Sequence, residues 1–490
     1  MTIGLRYLLV GLLLAISAGG TAPLAAAQDK SAPKTAKESA SVKRTHEQIV
    51  KALGLYDDQA IQDYVNEVGR KVAAQSELAG ADFKFYVIDD DSINAFTTGC
   101  CRIYVNRGLL ISLNSEAELA AVLGHEIGHV TGRHPQKQQR TGILTGLLAA
   151  GAAIASGSQI VADLANIAGT AAFRGYGRAQ EMEADRFGMI YATKAGYRPE
   201  AMGEVFNMFK AGERFERDRA RAEGREPRIY HGLFSTHPAP DQRAVQAAKG
   251  AARVGGDAAA FVDNREEYLR RIEGIAFGSS KAQGILRENR MYHAPLGITV
   301  AFPRGWTVEN HPDKVVAYTP NKDAYVIMAL IQADPKQRLT PREVLLRSVQ
   351  GASWSGGEAI ESHGMQGYTA VSRNGSYLDQ GQGPVRYVVF ERGNAYYIFA
   401  GASRASRGGI PEADGVILGV AQTLRSLRPS EFPLGEPYRI KILRATPGTQ
   451  LADYASNVPL DKYQKEHLEL INGLYPGRNP EPGQLFKVVE

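Results

Sequence analysis

His125 and His129 stand four positions apart, and Glu126 directly follows the first of them. On an α-helix, residues i and i+4 share a face, so two imidazoles can point at one ion while the next residue projects beside them. H-E-x-x-H is thus an arrangement in which two nitrogen donors hold zinc and a carboxylate serves as general base toward water. The competing reading is a pair of satisfied core histidines. A catalytic zinc also needs a third protein ligand and an open position for water. "EMEAD" (181–185) offers carboxylates on a second helical stretch, 52 residues after His129. Gly124 and Gly128 are unusual inside the first helix, since each costs about 1 kcal/mol relative to alanine. Either they let the second helix approach closely, or they are tolerated slack.

These groups need elements to hold them. Ser115 and Glu118 form an S-x-x-E capping box that opens a helix running through His129. From His46 to about Ser76 the apolar residues Ile49, Leu53, Leu55, Ile61, Tyr64, Val65, Val68 and Val72 recur with helical spacing. "FKFYVID" (83–89) alternates as a strand, and "CRIYVNRGLL" (101–110) contains a second strand that ends in a turn at Asn106–Gly108. "RAQEMEADRFGMIYATKAG" (178–196) reads as a helix closed by a glycine. "ERFERDRARAEGREPR" (213–228) reads as a solvated helix and loop, with a lid as the alternative. The uncharged stretch 141–162 is long enough for a membrane span, but its glycines and polar residues favour a buried or surface-seeking helical hairpin.

The chain has 490 residues, 44% of them hydrophobic and 22% charged, which suits two or three globular domains and excludes wholesale disorder. A net charge of +5 without dense basic runs argues against nucleic acid as a partner. Residues 1–27 carry Arg6, a short apolar run and Ala25-Ala26-Ala27, the pattern of a secretory signal cleaved near Ala27. An uncleaved anchor is the alternative, against which the shortness of the run counts. The mature protein is then expected in a bacterial periplasm. Cys100 and Cys101 are adjacent and cannot build a disulfide framework. An inert pair is the default reading, and a redox-sensitive pair the alternative.

The fold class expected is α+β. After a flexible linker (28–44), residues 45–262 read as a mainly helical unit with a small edge-accessible sheet, and 263–291 as a helical connector. Residues 292–432 alternate as short strands around two helical stretches, an α+β sandwich domain, and 437–490 read as strand, helix, helix, strand.

"HEIGHVTGRH" with "EMEAD", preceded by "INAFTTGCCRIYVNRGLL" and followed by "STHPAPDQR", resembles the HtpX-like and CAAX-prenyl-protease-like zinc metallopeptidases, a gluzincin family, in its soluble periplasmic branch. The resemblance covers residues 45–250 and implies one Zn²⁺ per chain, held by His125, His129 and Glu181, with Glu126 as general base. It implies that Asp185 hydrogen-bonds a ligand histidine, while Glu183 falls off that face of the helix. It also implies a substrate strand at Arg102, Ile103, Tyr104 and Val105, although Gly99-Cys100-Cys101-Arg102 departs from the family's Pro-Gly-Gly-aromatic run. Arg243 is then expected either to steady the oxyanion or to form a structural ion pair. His237 either occupies the fourth zinc position in a self-inhibited state or caps a turn. The C-terminal unit resembles a divergent LysM-like module, whose relatives bind cell-wall glycans. The implied function is endoproteolysis of unfolded or misassembled envelope polypeptides. The alternatives are a chaperone or assembly factor working with outer-membrane assembly machinery, and a scaffold bound to peptidoglycan; peripheral membrane contact is compatible with each.

Overall fold

The computed structural model describes residues 40–135, 176–227, 243, 245–247, 249–250, 260–310, 314–333, 338–349, 351–376, 382–403, 411–460 and 462–490. The signal segment, the 141–162 stretch and His237 lie outside the described residues. Among the described residues, no helix is long and apolar enough to cross a membrane.

Helices α1 (Ala40–Leu53) and α2 (Gln59–Ala73) are separated at Gly54, whose φ of 73° few other residues adopt. Asp58 caps α2 by accepting from the Ile61 amide. The buried stripe of α2 is Ile61, Tyr64, Val65, Val68 and Val72, the periodicity legible in the sequence. It packs on a three-stranded sheet of β1 (Lys84–Ile88), β2 (Ala95–Thr97) and β3 (Arg102–Asn106), in the order β1-β3-β2. Strand β3 runs parallel to β1 and antiparallel to β2. The opposite face is covered by α1, where His46 Nδ1 lies 3.0 Å from the Tyr104 hydroxyl. Cys100 and Cys101, in the β2–β3 connection, are joined as a disulfide.

The turn expected at Asn106–Gly108 is instead the start of helix α3 (Arg107–Ser112). Arg107 is fully buried, and its Nε donates to Asp89 Oδ1 at 3.0 Å. Its Nη groups donate to the carbonyls of Ala276 and Gly278, tying a later segment to this point. Helix α4 (Glu116–Thr131) follows, with Ser115 Oγ accepting from the Glu118 amide at 3.2 Å. The Glu118 carboxylate accepts from the Asn114 amide, one residue outside the expected capping box. Glu116, at the first position of the helix, accepts from the hydroxyls of Tyr64 and Tyr197 and the amide of Asn264, each at 2.9 Å.

Helices α5 (Arg178–Lys194) and α6 (Ala201–Ala222) complete the layer around α4. The charged end of α6 is only partly solvated: Phe215, Glu216 and Ala220 are buried there, and Arg225 pairs with Glu216 at 2.7 Å. The expected helical connector is helical only over α7 (Arg265–Arg271) and then enters strand β4 (Ala276–Phe277).

The next region holds two sheets. The smaller comprises β5 (Ile285–Arg287), β6 (Arg290–His293), β7 (Ile298–Ala301) and, later in the chain, β15 (Arg425–Ser426), in the order β15-β7-β6-β5. The larger has seven strands: β8 (Thr307–Asn310), β9 (Lys314–Tyr318), β10 (Ala324–Gln332), β11 (Trp354–Ser362), β12 (Met365–Ser376), β13 (Gln382–Arg392) and β14 (Ala395–Ser403). Their order is β11-β12-β13-β14-β10-β9-β8, antiparallel throughout. Alternation along β13 and β14 builds two cores, as period-2 geometry requires. Val388, Phe390 and Phe399 pack with Ile417 and Val420 of α9 (Asp414–Gln422); Tyr387, Val389 and Ile398 pack with Val344 and Leu345 of α8 (Pro341–Ser348).

The C-terminal residues form β16 (Tyr438–Arg444), a 3₁₀ turn (Leu451–Asn457), α10 (Gln464–Ile471) and β17 (Leu485–Val489). Strand β16 pairs with β17 and with β4. One continuous apolar core joins Ile440, Leu468, Phe486 and Val488 to Val65, Leu109, Leu119 and Leu123 of the first helical unit. Lys487 is fully buried, its ammonium donating to the carbonyls of Ile111 at 2.7 Å and Leu113 at 2.6 Å, just before α4 begins. Burial pushes its pKa well below the usual lysine range. The fold is mixed α+β, as expected.

Candidate metal centre

Helices α4 and α5 cross at glycine. A Cβ added at Gly124 would lie 2.7 Å from the Gly188 carbonyl, and one at Gly128 2.7 Å from that of Ala184. One added at Gly188 would lie 2.5 Å from the His125 amide. These separations are too short for any side chain, so the mid-helix glycines serve close approach.

The approach brings His125 and His129 against Glu181. The two Nε2 atoms are 2.9 Å apart, His125 Nε2 lies 3.6 Å from Glu181 Oε2, and His129 Nε2 lies 3.5 Å from Glu181 Oε1. Zinc–ligand bonds of 2.0–2.2 Å in a tetrahedron place donor atoms about 3.4 Å from one another. The donor set and its spacing therefore fit one zinc ion. His125, His129 and Glu181 are the group able to hold a metal among the described residues. All three are buried, and Glu126 beside them is fully buried.

Asp185, one turn after Glu181, holds His125 Nδ1 at 2.8 Å. This bond requires the proton on Nδ1 and leaves the Nε2 lone pair facing the ion. Burial alone would raise the Asp185 pKa, but hydrogen bonds from Arg243 and His125 outweigh it and hold the carboxyl at about 2. Arg243 grips Asp185 with two bonds of 2.6 Å and reaches Glu181 Oε2 at 2.8 Å. Its guanidinium also lies over the Phe206 ring. Arg243 thus pairs both with Asp185 behind His125 and with the ligand carboxylate of Glu181 itself.

Arg102, Ile103, Tyr104 and Val105 belong to β3, which is the central strand, paired on one side with β1 and on the other with β2. Their backbone cannot accept an added strand. Among the described residues, the outer strand of this sheet on the α4 side is β2, Ala95–Thr97, in the same sequence stretch. Three short strands in succession do not disclose their spatial order, which is why the reading fell on the wrong one.

Two residues near the centre escaped the sequence reading. Tyr176 stacks on the His129 ring, with centroids 3.8 Å apart and planes 23° apart. Burial, then the charges of Glu126 and Glu181, raise its pKa, so the phenol stays protonated. His134, buried, places Nδ1 2.8 Å from His129 Nδ1. Its Nε2 lies 3.1 Å from Glu183 Oε2, so Glu183 has a partner beside the site after all. The available signal was a third histidine ending "HEIGHVTGRH" at a helix terminus.

Residues 59–251 match Peptidase family M48. That segment is similar to the M48 peptidases. The chain is 30% identical over 195 residues to the beta-barrel assembly-enhancing protease of Yersinia pestis, covering 38% of this chain and 38% of that protein. It is 33% identical over 151 residues to the mitochondrial metalloendopeptidase OMA1 of Arabidopsis thaliana, covering 31% and 30%. Over 182 residues it is 27% identical to the metalloprotease LoiP of Escherichia coli (strain K12), covering 36% and 64%. The chain thus spans about two fifths of the length of the assembly-enhancing proteases it matches. His125, Glu126, His129, Glu181, Asp185 and Arg243 all fall inside the M48 segment.

Proposed function

We propose that the chain is a zinc-dependent endopeptidase of the bacterial periplasm that cleaves misfolded or misassembled envelope proteins. The observation that carries the reading is the buried triad of His125, His129 and Glu181, with donor spacing suited to one zinc. When bound, zinc supplies a Lewis acid and a water acidic enough to be deprotonated near neutrality. Glu126 takes that proton and delivers it to the leaving amine. Asp185 and Arg243 keep His125 and Glu181 oriented through the reaction. Tyr176, with a protonated phenol at the same site, helps hold the His129 ring. An extended polypeptide pairs alongside the outer strand β2, its backbone recognised without regard to most side chains, which suits unfolded substrates. His237 remains the candidate for a self-inhibiting ligand.

Envelope substrates and a periplasmic site of action rest on the likeness to the assembly-enhancing proteases and on the amino-terminal pattern of the sequence. The word "assembly" in their name favours a second, compatible reading, in which the protein also promotes outer-membrane β-barrel assembly. The strand–helix–helix–strand order at the C-terminus supports the LysM-like reading of that unit.

The test compares wild type and Glu126→Gln on an unfolded protein substrate, with metal analysis of both. Zinc in both and cleavage by wild type alone is the expected result. Equal cleavage by the two proteins would remove Glu126 as base, and no cleavage by either would leave a binding or assembly role.

A further inference from the structure

We infer that His134 and Glu183 form a hydrogen-bonded relay that fixes the tautomer and orientation of the zinc ligand His129; this rests on the zinc reading above. The two ligand histidines are held differently. His125 gives its Nδ1 proton directly to a carboxylate, Asp185. His129 has a second imidazole at that place: its Nδ1 lies 2.8 Å from His134 Nδ1. Two neutral rings can share this contact only if one nitrogen donates and the other accepts.

The ion side decides the direction. His129 Nε2 faces His125 Nε2 and Glu181, so it must keep its lone pair and His129 must carry its proton on Nδ1. His134 Nδ1 is then the acceptor, and the His134 proton sits on Nε2. That nitrogen lies 3.1 Å from Glu183 Oε2, an acceptor whenever it is ionised. Every group in the chain is thereby assigned one role: Glu183 accepts from His134, and His134 accepts from His129. The Glu183 side chain is 42% exposed, whereas the His134 ring it meets is fully buried.

The local sequence builds this contact. Helix α4 ends at Thr131, Gly132 caps it, and Arg133 turns the chain back with φ of 56°. An added Cβ at Gly132 would lie 2.6 Å from His134 Nε2, so the glycine leaves room for the returning ring. Glu183 lies two residues after the ligand Glu181 on α5, and so leaves the helix on a different side. One helix thus supplies the third ligand, the carboxylate behind His125 and the carboxylate at the end of the relay.

The experiment uses the full-length, metal-stripped protein and measures zinc affinity by competition with a chromophoric chelator, alongside the urea midpoint of the metal-free protein. Loss of outer hydrogen-bond partners typically weakens metal binding about 10–100-fold. Glu183→Ala is expected to weaken zinc about 10-fold, and His134→Phe to approach 100-fold. Glu183→Gln, which keeps an acceptor oxygen, is expected to restore most of the affinity, and both Glu183 variants to keep the metal-free urea midpoint. Wild-type affinity in Glu183→Ala would overturn the relay, and that variant decides the matter even if His134→Phe fails to fold. Failure of the wild type to take up zinc would overturn the metal site and the relay with it.

Discussion

Around α4 and α5, ionisable side chains are buried together: His125, Glu126, His129, His134, Glu181, Asp185 and Arg243 are each at most 5% exposed. In the seven-stranded sheet, the corresponding interior is Val388, Phe390, Phe399 and Ile417 on one face and Tyr387, Val389 and Ile398 on the other. There Arg386 pairs with Asp414 through two bonds of 2.7 and 2.9 Å and also donates to Thr369. Buried charge is costly unless paired, so a concentration of it marks the region that does chemistry. Among its described residues the sheet shows no such concentration. The C-terminal strands side with the first region: Phe486 and Lys487 are buried in the core that supports α4.

The largest expected effect is chemical. Glu126→Gln should lower kcat by about 10²–10⁴-fold, the usual worth of a general base, with zinc retained; steady-state proteolysis and metal analysis check both. Core truncation sharpens the contrast between regions. Phe399→Ala and Phe486→Ala should each cost about 3–5 kcal/mol in urea unfolding. Only Phe486→Ala should also lower zinc affinity, because its ring belongs to the same continuous core as Leu119 and Leu123 of α4. Equal zinc affinity in both variants would break the assignment of the C-terminal strands to the peptidase body. Asp414→Ala should cost about 3 kcal/mol by leaving Arg386 buried without its partner, and should leave cleavage unchanged.

The smallest effect concerns pH. His467 packs against Phe215 of α6, and burial, with Arg219 nearby, pushes its pKa down from 6.5 to about 4. Below the unfolded value the unfolded chain takes up a proton that the fold refuses. Stability should therefore fall as pH drops from 6.5 toward 4, by at most about 3 kcal/mol. His467→Phe should flatten that limb of a urea-midpoint profile. Parallel profiles for the two proteins would show that the seam between α6 and the C-terminal unit does not shield this ring.

Much of the centre was legible because it is local. The spacing of His125 and His129, the cap at Ser115 and the mid-helix glycines all act within a few turns of one chain segment. What was not legible depends on distant pairing. Strand order in the β1-β3-β2 sheet is set by packing on α2 and α4, so Arg102–Val105 were placed at an edge they do not occupy. Lys487 reaches carbonyls 376 and 374 residues earlier, a contact no periodicity announces. Glu183 was set aside as a ligand by its helical position, and its partner His134 comes from the reversal at Gly132–Arg133.

The central claim is one zinc held by His125, His129 and Glu181. Metal analysis with zinc X-ray absorption on purified wild type and Glu181→Ala tests it most directly. One zinc per chain, with two imidazoles and oxygen donors in wild type and markedly weaker uptake by the variant, is the predicted result. Equal zinc uptake by the two proteins, or a spectrum without imidazole scattering, would contradict it.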